Sequence, residues 1–351
     1  MNAAALPLNL LPADALWPAL PDTVAAIPTQ TPAWVRARAA LLPPDAARFI
    51  AVHDDAGLAA LAPLVRSGRW LREPPALFEP SDWLWRSPQA LAELALAVAR
   101  LRLPLQLDRL PLASPTLGAL RQAFAGRALV ELRPAMPTPV IELDERWREP
   151  EAGFDARRRA DFRRYERRAA AHGRLGFELH APHPGAALQP LLDEAYAVEA
   201  RSWKARRRTA LSADPVQGGF FVRFAQAAAA AGMLRIAFLR LDGQAVAMQI
   251  AAQWRQRFWL FKISHDEAFD ACSPGQLLMR HTLLQAARAG LLSYEFMGGM
   301  DPWTRLWTRQ LRHYQQVQVL PVGLASAQVL ARRAAGRAAR AAVRRLRRWA
   351  G

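Results

Sequence analysis

The side chains able to move a proton or hold a charge in this chain are few, and several fall close together. His265 and Asp266 stand side by side at the end of an apolar run, RFWLFKIS, whose interior cation is Lys262. A histidine titrates near neutral pH and suits proton abstraction, while an adjoining aspartate can orient it or cap the following loop. The same pair also fits a plain solvated turn. Shortly after it, Ser273-Pro274-Gly275 opens an apolar-periodic stretch, QLLMRHTLLQAARAG, that reads as a helix ending at Gly290. A helix start leaves backbone N–H groups unpaired, and the macrodipole favours an anion there. Gly275 permits close backbone approach, whereas Pro274 removes one donor. Ser273, Pro274, Gly275, Gln276, Leu277 and Leu278 therefore form the candidate anion-binding turn, although a simply capped helix fits the same letters.

A second group lies upstream. Glu199 and Trp203 are four apart in DEAYAVEARSWK, so one helix would present both on one face as a pocket wall, with Lys204 following. Lys262 in an apolar strand and Glu295 in the core-like SYEFM each want a partner, and the two make a candidate pair. Lys262 also fits a snorkelling edge residue. Trp303, Trp307 and Tyr314 fit core packing better than a ligand platform. The lone cysteine, Cys272, fits a small semi-buried residue and excludes both an internal disulfide and a thiolate cluster. Seven histidines without ligand spacing give no metal site, and His180 with His183 only flanks Ala-Pro.

The elements that must position these residues follow a repeated order. In the N-terminal half, an irregular entry with a short helix leads to two apolar runs about an Asp-Ala-Gly turn (48–65), which reads as a hairpin. A helix capped at Ser87, the strand LPLQLDRL, a helix around Ser114 to Phe124 and the strand ALVELRP follow. The C-terminal half has LRIAFLRL, the turn Asp242-Gly243, QAVAMQIAAQW and RFWLFKIS as an antiparallel meander. The loop HDEAFDAC, the Ser273 helix, the strand LLSYEFM, a helix DPWTRLWTRQL and a closing strand HYQQVQVLP complete it. Gly57 and Gly243 are separated by 186 residues, and so are Ser87 and Ser273. One offset for two landmarks points to a duplicated fold.

At 351 residues and 52% hydrophobic, the chain fits two domains with substantial cores. The boundaries are placed at 1–145, 146–322 and 323–351. FDARRRADFRRYERRAAAHG (154–173) is a basic helical segment that opens the second domain. Eleven arginines follow Asp301, the last acid, so much of the formal charge of +17 is C-terminal. From Ala335 onward, Ala338, Ala339, Ala342, Leu346 and Trp349 recur on one face and arginines on another, which makes a basic amphipathic helix. It suits an anionic membrane surface or a nucleic-acid backbone, and equally a solvated terminal helix. The N-terminus does not read as a secretory signal, and no apolar run is long enough to span a bilayer. A cytoplasmic location, with peripheral contact at the inner membrane, is expected.

The strand order over 234–320, together with Glu199, Ser202-Trp203-Lys204, Leu234-Arg235, Leu241-Asp242-Gly243, Lys262, His265-Asp266, Ser273-Pro274-Gly275, Leu277-Leu278 and Gly298-Gly299, resembles the GNAT superfamily, and within it the CelD and BioF-like acetyltransferases. The architecture resembles that of the two-domain FemAB-type aminoacyl transferases. The resemblance covers about 150–320 well and the N-terminal half by general plan. It implies an α+β protein of two tandem GNAT-like domains, each a mixed, mainly antiparallel sheet flanked by helices, the first one degenerate. It implies acetyl-CoA as donor and direct transfer, without an acyl-enzyme, to an amine or hydroxyl of a polar metabolite, sugar or cell-envelope or exopolysaccharide precursor. Glu199, His265 and Asp266 become the candidate bases; Lys262 and residues 273–278 the candidate cofactor contacts; Trp203, Lys204, Glu295 and Trp303 the candidate acceptor contacts. Tyr294 and Tyr314 are open choices for the general acid. The chain departs from the family where many members carry a glycine-rich Arg/Gln-x-x-Gly-x-Gly/Ala loop, having Cys-Ser-Pro-Gly-Gln-Leu there instead. Two alternatives stand beside this expectation. One is amino-acid transfer from aminoacyl-tRNA, which the arginine segments suit but for which the long helical hairpin is missing. The other is a non-catalytic membrane or nucleic-acid binding module working through its arginine tail; the acetyl-CoA reading itself needs no nucleic acid.

Overall fold

The computed structural model describes residues 2–7, 27–42, 48–74, 79–207 and 210–349. In the N-terminal half lie β1 (Asn2–Pro7), α1 (Pro32–Ala39), β2 (Arg48–Asp54), β3 (Gly57–Ala62), β4 (Val65–Ser67), β5 (Trp70–Arg72) and β6 (Leu84–Trp85). They are followed by α2 (Pro88–Arg100), β7 (Leu105–Pro111), α3 (Thr116–Ala123) and the long β8 (Ala128–Glu142). The C-terminal half holds α4 (Ala156–Ala170), β9 (Leu175–His180), α5 (Leu188–Ala200), α6 (Trp203–Arg206), α7 (Pro215–Ala230), β10 (Leu234–Leu241), β11 (Gln244–Trp254) and β12 (Arg257–His265). Then come α8 (Pro274–Arg288), β13 (Ser293–Phe296), β14 (Leu311–Pro321) and α9 (Leu324–Trp349). The fold is α+β, with helices flanking mainly antiparallel sheets, as expected of two GNAT-like units.

Local chemistry explains most of these elements. Asp242 and Gly243 both take positive φ, +45° and +84°, the geometry of a tight hairpin between right-twisted strands. Gly57 does the same work between β2 and β3 at φ +105°. β10 and β11 are apolar almost throughout because both their faces are covered, one by the cluster around Phe220, Phe224 and Phe238 and the other by the cluster around Leu277, Leu278 and Tyr294. On α4, Asp155 caps the first turn by accepting from the Arg158 amide at 2.7 Å, and Phe162 and Ala169 are buried beneath an arginine-rich outer face.

Ten strands form one sheet in the order β4-β5-β7-β14-β8-β13-β12-β11-β10-β9, and β1-β2-β3-β6 form another. β14 was expected to close the C-terminal unit. It runs instead between β7 and β8, antiparallel to both, while the last residues of β8 pair with β13. α1 also crosses over: Trp34 packs edge-on against Phe220 and Phe224 at 4.8 and 5.0 Å and stacks on Phe261 at 5.2 Å.

Three expected elements differ. The helix through Glu199 and Trp203 breaks after Ala200, because the Ser202 hydroxyl donates back to the Glu199 carbonyl at 2.7 Å and caps α6 instead. The helix expected over 301–311 is only a 3-10 turn at Thr304–Leu306. Thr308 and Gln310 bond the backbone of Val140, so sheet pairing claims the segment before a helix can form. The loop after His265 winds into a 3-10 helix, Glu267–Cys272. The basic tail forms α9, but the side chains of Arg340, Ala342 and residues 344–350 lie outside the described set, as does most of the entry segment before Ile27.

A cleft where two parallel strands part

β12 and β13 are parallel neighbours for four rungs, ending at Leu260 and Phe296, with one more bond from the Met297 amide to the Leu260 carbonyl at 3.0 Å. Beyond that point the strands separate. A cleft of about 450 Å³ opens between Phe261–His265 on one side and Met297–Gly299 on the other, with the start of α8 at its end. A β-bulge shapes one wall. Ile250 opposes Lys262 and Ala251 opposes Leu260, so Phe261 is the extra residue on β12. Such a bulge re-aims the side chains that follow. Trp259 and Phe261 face the core that holds α7, whereas Ile263 joins the opposite core. Lys262 is thereby set with its ammonium 5.0 Å from the Phe221 ring. Burial, and next the charge of Lys204, lower its pKa.

His265 ends β12 in this cleft. Its Nε2 meets the Asp270 carboxylate at 2.7 Å, and its Nδ1 lies 3.4 Å from where a Cβ on Gly275 would sit. With Asp270 accepting from Nε2–H, Nδ1 is the nitrogen that carries the lone pair toward the cleft. Asp270 thus occupies the orienting place expected of Asp266. Only the winding of residues 267–272 brings it back beside His265, so a reading of neighbours in sequence missed it.

At the other end of the 3-10 helix, Ser273 adopts left-handed φ/ψ of 46° and 54°, and its hydroxyl caps nothing. Its carbonyl takes the Gln276 and Leu277 amides at 3.0 and 3.2 Å. Pro274 has no N–H, so the Gly275 amide is the first-turn donor left without a partner among the described residues. A Cβ at 275 would touch His265 Nδ1 at 3.4 Å, so any larger side chain there would stand against His265 at the cleft.

The cleft brings together Trp203, Lys204, Lys262, His265, Ser273, Gly275, Gln276 and Trp303 from among the candidates. The others stand elsewhere. Glu199 is 1% exposed; its carboxylate accepts from Lys204 Nζ at 2.9 Å and from the Leu211 amide at 2.8 Å. It braces Lys204, which also donates to the Ile263 carbonyl at 2.8 Å, and it does not share a helix face with Trp203. Asp266 is buried, caps the 3-10 helix at Ala268 and pairs with Arg201 at 2.5 Å. Pro274, Leu277 and Leu278 are core residues. Glu295 does not meet Lys262; Arg257 and Arg312 hold it at 3.0 and 2.9 Å, with Ser293 at 2.6 Å. Gln276 lines the cleft while its amide oxygen accepts from Trp307 Nε1 at 2.8 Å.

Tyr294 and Tyr314 are both buried away from the cleft, bonded to Thr282 and Thr138, and burial raises both pKa values. Neither is placed to protonate a leaving group there. Trp307 packs in the core against Phe154 and Phe162, both at 5.9 Å, while Trp303 alone of the aromatic series reaches the cleft. Ser264, which the sequence did not single out, lines the cleft with a buried hydroxyl that has no partner among the described residues. Among the described residues no group of three or more His, Cys, Asp or Glu is arranged to hold a metal ion.

A family model described as an acetyltransferase (GNAT) domain matches residues 156–305. Among solved structures, FemX superposes with a TM-score of 0.57 over 92% of this chain and 98% of that one, at 12% identity. The C-terminal domain of a lysylphosphatidylglycerol synthetase from Agrobacterium fabrum gives 0.51 over 84% and 90%, at 14% identity. L-PGS from Bacillus licheniformis gives 0.50 over 83% and 89%, also at 14%. No curated protein matches the chain by sequence. At such identities the likeness is one of fold.

Proposed function

We propose that this chain, in which residues 156–305 form a GNAT acetyltransferase domain within a GNAT- and FemAB-like architecture, transfers an acetyl group from acetyl-CoA directly to an amine or hydroxyl. The acceptor class is a polar metabolite, sugar or cell-envelope or exopolysaccharide precursor. The observation that carries this proposal is the parting of β12 from β13 beside the open first turn of α8. Parted parallel strands offer backbone groups to an extended, amide-bearing chain such as the pantetheine arm. At the end of the same gap, the Gly275 amide and the helix dipole suit the pyrophosphate.

Within this frame the thioester supplies the activated acyl carbon, and the chain supplies positioning and proton transfer. His265 Nδ1 takes the proton of the acceptor as its nitrogen or oxygen bonds to the acyl carbon. The carbon–sulfur bond then breaks, and the departing thiolate needs a proton. The thiolate takes the proton now held on the His265 imidazolium, which restores the base. Ser264, a cleft hydroxyl with no partner among the described residues, is our assignment for the group that hydrogen-bonds the departing sulfur. Lys262 and Lys204 keep the site electropositive toward the anionic donor, and Trp203 and Trp303 wall the acceptor's approach. We take 146–322 as the catalytic unit, 1–145 as its degenerate partner and 323–351 as an appended helix.

The protein is placed in the cytoplasm, with α9 touching an anionic inner-membrane surface through arginines such as the exposed Arg332 and Arg337. No helix among the described residues is long and apolar enough to cross a membrane. The competing donor is aminoacyl-tRNA, which the exposed Arg157, Arg163 and Arg167 on α4 would suit.

Calorimetric titration with acetyl-CoA and with CoA separates the two. Micromolar binding is expected, and deleting residues 330–351 leaves it unchanged. Absence of binding by the folded full-length chain overturns the acetyl-CoA assignment in favour of aminoacyl-tRNA or a non-catalytic binding role. Once an acceptor is found, His265→Ala lowers kcat by a factor on the order of 10² or more with CoA affinity retained.

A further inference from the structure

A second cavity, of about 260 Å³, lies in the N-terminal half beneath α1, beside the end of β5 and the middle of β7. Its charged walls are Arg38, Glu73, Glu79, Asp108 and Arg109. Arg38, Glu73 and Arg109 are 8%, 8% and 9% exposed. Among the described residues, each is left short of partners. Arg38 reaches Glu79 with one nitrogen at 3.4 Å and lies over the Phe220 ring at 3.9 Å, but its Nε has no acceptor. Arg109 donates from Nη2 to the Met136 carbonyl at 2.7 Å, and its Nε and Nη1 have no acceptor. Glu73 takes the Asp108 amide on Oε2 at 3.3 Å and is also hydrogen-bonded by Ser81, while its Oε1 has no donor among the described residues.

Buried ionised groups are nearly always paired, because desolvation without a partner is costly. Here both signs are left short in one cavity. Burial lowers the pKa of both arginines and pushes the Glu73 carboxyl up to about 7, which are marks of the same deficit. A simple anion would satisfy the arginines and be repelled by Glu73, Glu79 and Asp108, and a simple amine would meet the reverse. A ligand with both charges satisfies the set.

The cavity also sits next to the chemistry. Trp34 on the wall of this cavity stacks at 5.2 Å on Phe261, which lines the main cleft next to Lys262, and the charges of Glu79 and Arg38 act on the Lys262 ammonium. We propose that this cavity is the acceptor subsite and takes a small zwitterion of the α-amino-acid class. Its carboxylate bonds Arg38 and Arg109, its ammonium bonds Glu73, and its side chain leads toward Lys262 and the acyl group. This rests on the transferase assignment above and names its second substrate.

The test is calorimetric titration of the full chain with common L-α-amino acids, each beside its decarboxylated amine, with CoA present and absent. At least one amino acid binds, and its amine binds on the order of 100-fold more weakly. Arg109→Met abolishes that binding, yet in the free protein melts no lower than wild type, because it removes a buried guanidinium two of whose nitrogens have no acceptor among the described residues. Arg109→Lys keeps the charge, loses the fork and binds roughly tenfold more weakly. The proposal is overturned if no amino acid binds, if the amines bind equally well, or if Arg109→Met binds normally or melts lower. CoA binding without amino-acid binding sinks this inference alone. Amino-acid binding without CoA binding sinks the acetyl-CoA assignment and leaves the subsite standing.

Discussion

Two helices of this molecule begin with the same Ser-Pro step, 186 residues apart, and end their first turns in opposite ways. At the start of α2, Ser87 is extended, at φ −144° and ψ 156°, and its hydroxyl accepts from the Ala90 amide at 3.1 Å. At the start of α8, Ser273 is left-handed and its hydroxyl caps nothing. A non-glycine residue in that region costs roughly 1–2 kcal/mol, and a missing cap about 1 kcal/mol more. The first helix start is satisfied by its own side chain. The second forgoes that satisfaction beside the cleft, where an unclaimed amide can serve a ligand. The contrast teaches that two helix starts with the same letters differ in what they leave unmade, and that only the second leaves a donor free for the ligand we propose.

The contrast breaks most visibly by filling one turn and not the other. Gly275→Trp is expected to weaken acetyl-CoA binding on the order of 100-fold, about 2.8 kcal/mol, whereas Gln89→Trp, at the matching and exposed position of α2, leaves it unchanged in the same titration. Equal losses from both would remove α8 from the site. A smaller effect is expected on stability from the hydroxyls. Ser87→Ala costs about 1 kcal/mol in urea unfolding, and Ser273→Ala costs close to nothing because it removes no cap. The smallest net effect sharpens the conformational half of the contrast. Ser273→Gly relieves the left-handed residue and raises stability by up to about 1 kcal/mol, while Ser87→Gly lowers it by a few tenths. A loss from Ser273→Gly would mean that the serine side chain holds the turn after all.

Much of this was legible in the letters because the causes are local. The Asp-Gly turn, the Ser-Pro starts and the apolar runs of β10–β12 each carry their own physics, and the strand order that points to a GNAT fold is built from them. That His265 and the α8 turn fall at element ends was readable for the same reason, and the fold brings both to one cleft. What escaped needed distance. Glu199 reads as a candidate base and Glu295 as a partner for Lys262, because their actual partners, Lys204 with the Leu211 amide and Arg257 with Arg312, meet them only after folding. Asp270 was hidden by a loop that turned out to wind back on itself. The bulge at Phe261, which turns Lys262 to its own side of the sheet, has no composition signal at all. The 301–311 segment has helical spacing, but its pairing with β8 decides its structure.

The place of β14 sets the order in which the molecule can be made. Gln106 on β7 and Gln318 on β14 bond at 2.9 Å across 212 residues of chain. As the ribosome emits the N-terminal half, β7 and β8 have an empty lane between them that stays empty until residues 311–321 emerge. Contacts of such sequence separation form late and slowly, and an unfilled strand lane is a place where nascent chains stick to one another. The early half therefore stays an incomplete sheet until its last strand arrives from the far end of the chain.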